Sequence, residues 1–286
     1  MRSLILDELL AIVAGRDGTF LVNRKDAYIG RSIEIYGEHG GLEGAFLKSL
    51  VQAGDRVVEV GANIGSHTIG LAKTVGALGR VDAFEAQRAC YALLQAQIAL
   101  NQLHNIHAHH QAVGQAAGQL WVPAVNYSEY GNFGAVALSP ESAATSEPVE
   151  VVTLDERIGD DPCALLKIDV EGMEEEVIRG AVKLIGRHHP LLYVENDRVD
   201  KSKSLVALLL GLGYRLWWHT PRLYNPDNFF GVKDNAYGAV ASFNMFCCSE
   251  SHPAAAGLAE IKSPDDPHPL APKPLVKSLH YTMKLG

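Results

Sequence analysis

The sequence contains no cluster of basic residues, and its acidic residues outnumber its basic ones. Among 286 residues there are 33 aspartates and glutamates against 25 lysines and arginines, which gives a formal net charge of −8. Nucleic acids and anionic membranes are bound mainly through clustered positive charge. We therefore predict that the protein binds neither a nucleic acid nor a membrane.

Long apolar runs and cysteines are also scarce. No apolar stretch approaches the roughly 18 residues that a membrane-spanning helix requires. The N-terminal segment MRSLILDELLAIVAG is interrupted by Asp7 and Glu8, whereas the apolar part of a signal peptide carries no acids. The chain has four cysteines, and they are not spaced like zinc ligands: Cys90, Cys163, Cys247 and Cys248. We interpret them as reduced core residues and predict a cytoplasmic protein.

Hydrophobic residues make up 47% of the chain, and from residue 56 onward strand-like and helix-like segments alternate. The predicted strands are 56–60, 80–85, 105–113, 163–170, 190–196, 214–220 and 239–248, and the predicted helices are 65–76, 87–102, 173–186 and 203–213. Such alternation is typical of an α/β fold with a parallel sheet and helices on both faces. The last two strands leave no room for a regular helix between them, so we expect one of them to run antiparallel.

Three segments stand outside this alternation. Residues 1–50 precede the first strand and are predicted to form an N-terminal cap. Residues 118–153 are predicted to form a hairpin insertion within a domain that spans 51–249. Residues 250–286 contain six prolines and are predicted to form an extended arm without a core of its own.

A glycine-punctuated turn follows the first strand of the alternation, in the stretch EVGANIGSHTIGLA at residues 59–72. Ligands of doubly wound sheets bind beyond the carboxyl ends of the strands, where this turn lies. Gly61 and Gly65 allow the backbone to approach a ligand closely. Asn63 stands where a dinucleotide-binding fingerprint has its second glycine, which makes a pyrophosphate site less expected. An ordinary tight turn without a ligand is the alternative.

Two acidic residues indicate which ligand the turn would hold. Glu85 ends the second strand, where a carboxylate can accept hydrogen bonds from a ribose diol. Glu59 lies two residues before Gly61, where it would repel a phosphate but attract a cationic amino-acid ligand. S-adenosylmethionine (SAM) has a ribose, a sulfonium and an ammonium, and no phosphate. We therefore predict SAM as the cofactor.

Four segments together resemble the FkbM-type SAM-dependent methyltransferases, in the same order along the chain. They are VVEVGANIGSHTIGLA, RVDAFEAQ, LLKIDVEGMEEEVIRGA and LYVEND. The resemblance extends from about residue 28 to residue 248 and implies the class I, Rossmann-like fold with a seven-stranded, mostly parallel sheet. It also implies methylation of a hydroxyl group, often on a sugar or a secondary metabolite. By this resemblance the residues that contact SAM are Glu59, Gly61, Asn63, Gly65 and Glu85, with Ala112 and Val113 beside the adenine.

Four residues are candidates for the chemistry, because an alcohol must lose its proton when it is methylated. Asp169 ends the fourth strand and is expected to face the methyl group. Glu171 lies two residues later, Glu195 ends the fifth strand, and His219 ends the sixth. Helix capping is the alternative role of Glu171, and a structural role is the alternative for His219. The carboxylates could also bind one divalent cation, but no dedicated ligand spacing is visible, so we predict no metal.

The acceptor is expected to be a small molecule, and a homodimer is left open. Residues predicted to bind it are Asn132, Phe133, Asn196, Asp197, Trp218, Tyr224 and Phe229. Three other functions remain as alternatives. The chain could methylate a nitrogen, for example in a peptide, or bind SAM without turnover. An NAD-dependent oxidoreductase is disfavoured by Asn63 and Glu59.

Overall fold

The computed structural model describes residues 2–271. The chain begins with a three-stranded antiparallel sheet and two helices, namely β1 (Ser3–Ile5), β2 (Leu10–Ala14), β3 (Thr19–Asn23), α1 (Ile29–Tyr36) and α2 (Gly41–Ser49). The remaining elements, in chain order, are β4 (Arg56–Val60), α3 (Thr68–Val75), β5 (Arg80–Phe84), α4 (Arg88–Asn101), β6 (Ile106–His109), β7 (Ala112–Val113), β8 (Gly118–Val122), β9 (Glu147–Val152), α5 (Leu154–Arg157), β10 (Leu165–Ile168), α6 (Glu174–Arg179), α7 (Val182–His188), β11 (Leu191–Glu195), α8 (Val199–Gly211), β12 (Arg215–His219), β13 (Asn244–Cys248), a short 3₁₀ helix (Pro253–Ala255) and β14 (Ala259–Ile261).

The central sheet has the order β6–β5–β4–β10–β11–β13–β12–β14. Strands β6, β5, β4, β10 and β11 are parallel neighbours, and β13 runs antiparallel to both β11 and β12. The predicted α/β fold with a mainly parallel sheet is confirmed, and β13 is the expected antiparallel strand. Strand β4 lies between β5 and β10, so the turn that follows β4 is beside the carboxyl ends of those two strands.

The segment after residue 250 differs from the prediction. Part of the expected arm is an eighth strand, because β14 pairs antiparallel with β12 and places Ile261 opposite Leu216. Ile261 is buried, as is His268, whose Nε2 lies 2.8 Å from the carbonyl oxygen of Asn196. The prolines around this short strand obscured its pattern in the sequence. The rest of the predicted arm, 272–286, lies outside the described residues.

Alternate residues of the central strands pack into two apolar layers, one on each face of the sheet. Val57 and Leu165 belong to the layer that includes α3 and α4, whereas Val58 and Leu166 belong to the layer that includes α6, α7 and α8. This follows from the two-residue repeat of a strand. Glu59 and Lys167 are therefore charged residues on the α3 side of a buried sheet.

Two predicted elements are interrupted. The strand predicted over 105–113 is split into β6 and β7, and β7 pairs with β9 of the insertion instead of with the central sheet. The helix predicted over 173–186 is divided into α6 and α7 at Gly180. A Cβ at Gly180 would lie 2.0 Å from the carbonyl oxygen of Gly114, so the missing side chain lets the segment after β7 approach the helix closely.

The N-terminal elements and the insertion both pack onto the central unit. The Gln97 side chain of α4 is fully buried and exchanges two hydrogen bonds of 2.8 Å with the backbone of Leu21 in β3. In the insertion, β8 and β9 pair antiparallel. All four cysteines are buried and unpaired. Within residues 2–271, no helix combines the length and the apolar character needed to cross a membrane.

Candidate functional site

A cavity opens at the carboxyl ends of β4, β5, β10 and β11, and we call it the main cavity. Its lining includes Gly61 after β4, Glu85 after β5, Asp169 after β10 and Glu195 at the end of β11. Parallel strands that end at the same edge bring these residues together, although more than 130 positions separate the first from the last. This is the edge at which open α/β sheets bind their ligands.

The glycine turn forms one wall of the main cavity. Gly61 has a φ of +83°, and a Cβ there would lie 1.7 Å from the carbonyl oxygen of Asp169. The backbone N–H groups of Gly61 and Ala62 both donate to the carbonyl oxygen of Phe84, at 3.0 and 2.9 Å. Asn63 has a φ of +49°, which asparagine tolerates better than most residues. The turn is thus fixed against two neighbouring strands and leaves its backbone open to the cavity.

Glu85 is held rigidly at the end of β5. Its side chain is buried, and each carboxylate oxygen accepts one backbone N–H at 2.7 Å, one from Asn63 and one from Gln87. Because a carboxylate oxygen can accept a second hydrogen bond, each keeps one acceptor position for a ligand. Burial raises the pKa of Glu85 to about 7. A pair of ligand hydroxyls donating to this carboxylate would favour its charged form.

A buried ion pair lies beneath the turn. Lys167 is 2% exposed, and its Nζ lies 3.6 Å from Glu59 and 3.1 Å from Asp169. The Thr68 hydroxyl donates to the other carboxylate oxygen of Glu59 at 2.6 Å. Burial alone would lower the pKa of Lys167, yet the carboxylates of Asp169 and Glu59 raise it above its ordinary value. Lys167 therefore stays charged and orients Asp169 at the cavity wall.

Three further carboxylates converge on the opposite side of Asp169. One oxygen each of Glu171, Glu195 and Asp197 lies within 4.8 Å of the other two. Arg198 donates to Glu171 at 2.6 Å, and its Nε lies 3.2 Å from Asp197. Glu195 differs, because its Oε2 is buried and has no hydrogen-bond partner among residues 2–271. Burial raises the pKa of Glu171 to about 7 and that of Glu195 well above its ordinary value.

A second cavity adjoins the main cavity, and we call it the side cavity. The two share seven lining residues, namely Tyr28, His39, Asn132, Ala135, Glu171, Glu195 and Ser242. Asp197 and Arg198 line the side cavity alone. Two molecules, one in each cavity, would therefore meet beside Glu171 and Glu195. This is the arrangement that a transfer between a donor and an acceptor requires.

The N-terminal elements supply residues that the sequence analysis missed. His39 lies between α1 and α2 and lines both cavities. Its Nδ1 is buried and has no hydrogen-bond partner within the described chain, and burial lowers its pKa to about 4. Glu43 also lines the main cavity, and burial raises its pKa to about 7. The one available signal was a histidine flanked by glycines, in the stretch GEHGG at 37–41.

The residue before His39 is anchored from a distant segment. Both carboxylate oxygens of Glu38 accept hydrogen bonds: Oε1 from the side chain of Asn225 at 2.8 Å, and Oε2 from the backbone N–H of Phe229 at 3.0 Å. The Arg16 guanidinium also donates to Oε2. Because Asn225 and Phe229 belong to the loop 220–231, this loop fixes the position of His39.

Ten of the predicted site residues line one of the two cavities. In the main cavity these are Gly61, Asn63, Glu85, Ala112, Val113, Asn132, Asp169, Glu171 and Glu195, and in the side cavity Asp197 joins them. Ala112 and Val113 belong to β7, next to the turn that carries Glu85. The functional roles of these residues remain predictions.

Two residues predicted to contact SAM do not line the main cavity. Glu59 is 1% exposed and faces Lys167 and Thr68 instead. Gly65 has a φ of +87°, and a Cβ there would lie 2.7 Å from a methyl group of Leu94. Gly65 therefore serves the close packing of the turn against α4. Both residues act beneath the cavity surface.

His219 lies outside both cavities, which removes the basis for its predicted role as a base. Its Nδ1 lies 2.8 Å from the Tyr193 hydroxyl, and its ring stacks on Phe46 with centroids 4.1 Å apart. Burial lowers its pKa to about 4. The neutral ring is a structural part of an aromatic cluster between β12 and α2.

Two predicted acceptor contacts are likewise structural. Phe133 packs edge-on against Tyr127, with centroids 4.9 Å apart, and is 5% exposed. Asn196 is buried, and its side-chain amide donates to the Ser202 hydroxyl at 2.9 Å. Neither residue lines the main or the side cavity.

The three aromatic candidates, one in β12 and two in the loop after it, also lie away from the two cavities. Trp218 packs edge-on against His268, with centroids 4.8 Å apart. The Tyr224 hydroxyl donates to the carbonyl oxygen of Lys233 at 3.1 Å. Phe229 is half exposed beside Phe230. Their loop packs on the N-terminal elements through Tyr36 and Glu38, so in this structure neither Tyr224 nor Phe229 lines a cavity, and their closure over the acceptor remains a prediction.

A family model described as "Methyltransferase FkbM domain" matches residues 59–216, which is more than half of the chain. The matched range contains the glycine turn, Glu85, Asp169 and Glu195. None of the curated proteins matches this sequence significantly.

Three solved structures illustrate the similarity. Methyltransferase FkbM from Methylobacillus flagellatus KT is 20% identical with a TM-score of 0.46, over 67% of this chain and 43% of that chain. A SAM-dependent O-methyltransferase from Thermotoga maritima is 13% identical with a TM-score of 0.48, over 84% and 78% of the two chains. An rRNA methylase from Streptococcus thermophilus is 12% identical with a TM-score of 0.43, over 72% and 93%. The match thus spans less than half the length of the M. flagellatus protein.

Proposed function

Since the chain belongs to the FkbM methyltransferase family, whose methyl donor is SAM, we propose that it methylates a hydroxyl group of a small polar acceptor such as a sugar or a secondary metabolite. The observation that carries this proposal is the pairing of the two cavities at Glu171 and Glu195. One cavity has the features expected of a SAM site, and the other is large enough to admit a second molecule beside it.

The residues of the main cavity fit SAM. Gly61 presents bare backbone at the cavity wall, packed directly on the Asp169 carbonyl oxygen, and Glu85 offers one free acceptor position on each oxygen for the ribose diol. Ala112 and Val113 give an apolar wall for the adenine. When bound, SAM supplies a methyl group that its sulfonium activates for in-line displacement. The protein therefore has to position the acceptor and receive its proton.

Asp169 is the residue that we assign to the proton. The Asp169 carboxylate, which lines the main cavity, would accept the proton that the acceptor hydroxyl loses when it is methylated. Lys167 Nζ lies 3.1 Å from this carboxylate and holds it in position at the cavity wall. Glu195 and Glu171 line the junction and orient the acceptor. Because these acids would repel phosphates, they support a small acceptor rather than a nucleic acid.

A second candidate is transfer to an amine nitrogen, which the acidic lining of the side cavity also accommodates. Both reactions use the same donor, so the product distinguishes them.

The experiment starts with calorimetric titration of SAM and of S-adenosylhomocysteine into the purified protein. Methyl-labelled SAM is then incubated with the protein and fractionated small-molecule extracts, and the labelled product is identified by NMR. A methyl group on oxygen supports the proposal, whereas a methyl group on nitrogen supports the second candidate. A folded protein that binds neither SAM nor S-adenosylhomocysteine contradicts both.

A further inference from the structure

The side cavity has an unequal charge lining. Three carboxylates face it, those of Glu171, Glu195 and Asp197, against the single guanidinium of Arg198. His39 also lines it and is neutral, since burial lowers its pKa to about 4. Asp169 beyond the junction shares its one cationic neighbour, Lys167, with the buried carboxylate of Glu59. The side cavity therefore lacks positive charge.

Glu195 is the one of these three carboxylates that forms no ion pair among residues 2–271. Arg198 contacts both Glu171 and Asp197, at 2.6 and 3.2 Å. In contrast, Oε2 of Glu195 is buried and accepts no hydrogen bond among the described residues. Nδ1 of His39, which lines the same two cavities, is also buried without a partner. Buried polar atoms without partners are costly and few in folded proteins, so these two indicate a ligand.

We propose that the acceptor carries an ammonium group near the hydroxyl to be methylated, and that Glu195 binds this ammonium at the junction of the cavities. This inference rests on the proposed function and specifies its substrate class. An amino sugar has the required chemistry, with several hydroxyls and one cationic nitrogen. Nδ1 of His39 can accept a hydrogen bond from one of the acceptor's hydroxyl groups.

Charge complementarity explains why the class is cationic. Burial disfavours the ionised form of Glu195, and an ammonium within contact distance offsets that cost. A phosphate or carboxylate on the acceptor would meet three acidic residues and be repelled. A neutral sugar would satisfy the hydrogen bonds but leave the charge imbalance in place. The charge of the lining therefore predicts that a cationic acceptor binds most tightly, a neutral one less tightly and an anionic one most weakly.

The test uses four probes that share one ring: glucosamine, glucose, glucuronate and glucose 6-phosphate. Each is titrated into the full chain saturated with S-adenosylhomocysteine, whose own ammonium already occupies its site, and binding is followed by saturation-transfer NMR. Glucosamine is expected to bind about tenfold more tightly than glucose, the scale of one charged hydrogen bond. Glucuronate and glucose 6-phosphate are expected to bind more weakly than glucose.

Two variants localise the preference. Glu195→Gln keeps the shape of the side chain and should abolish the preference for glucosamine over glucose. Arg198→Met frees Glu171 and Asp197, so it should increase that preference. Because the Arg198 side chain is 43% exposed, this second variant keeps the test valid if Glu195→Gln folds poorly. Glu129→Gln, an exposed acid outside both cavities, is the matched control and should behave as the wild type.

Three results overturn the inference. The first is equal or better binding of a neutral or anionic probe, and the second is no binding of any probe. The third is micromolar binding of Mg²⁺ that Glu195→Gln abolishes, which would assign the carboxylates to a metal ion. If S-adenosylhomocysteine fails to bind folded protein, the proposed function itself fails. Normal binding of S-adenosylhomocysteine together with any of the three results removes this inference alone.

Discussion

The carbonyl oxygen of Asp169 lies 1.7 Å from the point where a Cβ on Gly61 would be. The turn after β4 and the residue after β10 are therefore packed backbone to backbone, with no room for a side chain between them. This contact joins the predicted SAM-binding turn to the predicted proton acceptor.

Gly61→Ala is expected to destabilise the fold as well as the site. The collision forces β4 and β10 apart, so we expect a loss of several kcal/mol, above the roughly 1 kcal/mol of a strained φ alone. Gly54→Ala is the matched control, since Gly54 has a φ of +92° and open space around its missing Cβ. Denaturant unfolding measures the loss of unfolding free energy in both variants. Equal losses in the two variants would mean that the turn relaxes easily.

Glu85→Ala is expected to weaken SAM binding by roughly 1–3 kcal/mol, the range for hydrogen bonds to a charged group. The variant removes the acceptor for the ribose diol and leaves the backbone of the turn in place. Calorimetric titration gives the affinity, with exposed Glu129→Ala as the control. Wild-type affinity in a folded Glu85→Ala protein would contradict the assignment of the ribose to Glu85.

Lys167→Met is expected to cost about 3–5 kcal/mol of unfolding free energy, because it leaves Glu59 buried without a counter-charge. Adding Glu59→Gln should recover part of this loss. Lys203→Met removes an exposed ion pair to Asp265, and such a pair contributes at most about 1 kcal/mol. A small effect of Lys167→Met, similar to that of Lys203→Met, would show that solvent reaches Glu59.

Asp169→Asn is expected to lower turnover by roughly 10²–10⁴-fold, the range for removal of a general base. Its effect on SAM affinity should be small, since the contacts of Gly61 and Glu85 remain. His219→Asn serves as a comparison and should retain most of the activity, because His219 lies outside both cavities. Steady-state rates with the identified acceptor measure both effects. Wild-type turnover of Asp169→Asn would show that Asp169 is not a base and that the protein only positions the two reactants.

Glu85 should also make folding stability depend on pH. Its pKa rises from 4.5 to about 7 on folding through burial, so its stabilising contribution is complete below pH 4.5 and is lost as the pH rises through 7. Relative to wild type, Glu85→Gln should therefore gain about 2.5 kcal/mol between pH 5 and pH 8, at 1.36 kcal/mol per pKa unit. Buried histidines shift stability in the opposite direction but cancel in this comparison. Chemical unfolding of both proteins without ligand measures this free energy at each pH. A difference between the two proteins that stays constant with pH would contradict the prediction.

The sequence predicted the part of the site that lies at strand ends. Gly61, Glu85, Asp169 and Glu195 each follow or end a short apolar strand, and parallel topology then brings them to one edge. Periodicity and turn residues are local signals, so they also gave α3, α4, α8 and most of the central sheet, but not α1, α2 or α5. The prediction was weakest where function depends on which way a side chain points.

Two residues illustrate that limit. Glu59 is adjacent to the glycine turn in sequence, but its strand position directs it toward Lys167, below the cavity. His39 reaches the cavity from a segment with no recognisable motif, because the cap packs over the sheet edge. Contacts between elements that are distant in sequence determine both outcomes, and a single sequence contains no local record of them.

The anchoring of Glu38 by Asn225 has a consequence for how the protein is made. The two residues are 187 positions apart, and the loop that carries Asn225 lies between two of the last strands of the sheet. During synthesis the N-terminal elements leave the ribosome long before this loop exists, so His39 cannot reach its final position until most of the chain has emerged. Non-local contacts of this kind slow folding. The site is therefore completed late, and a nascent chain that stops before residue 225 carries the glycine turn but no finished cavity.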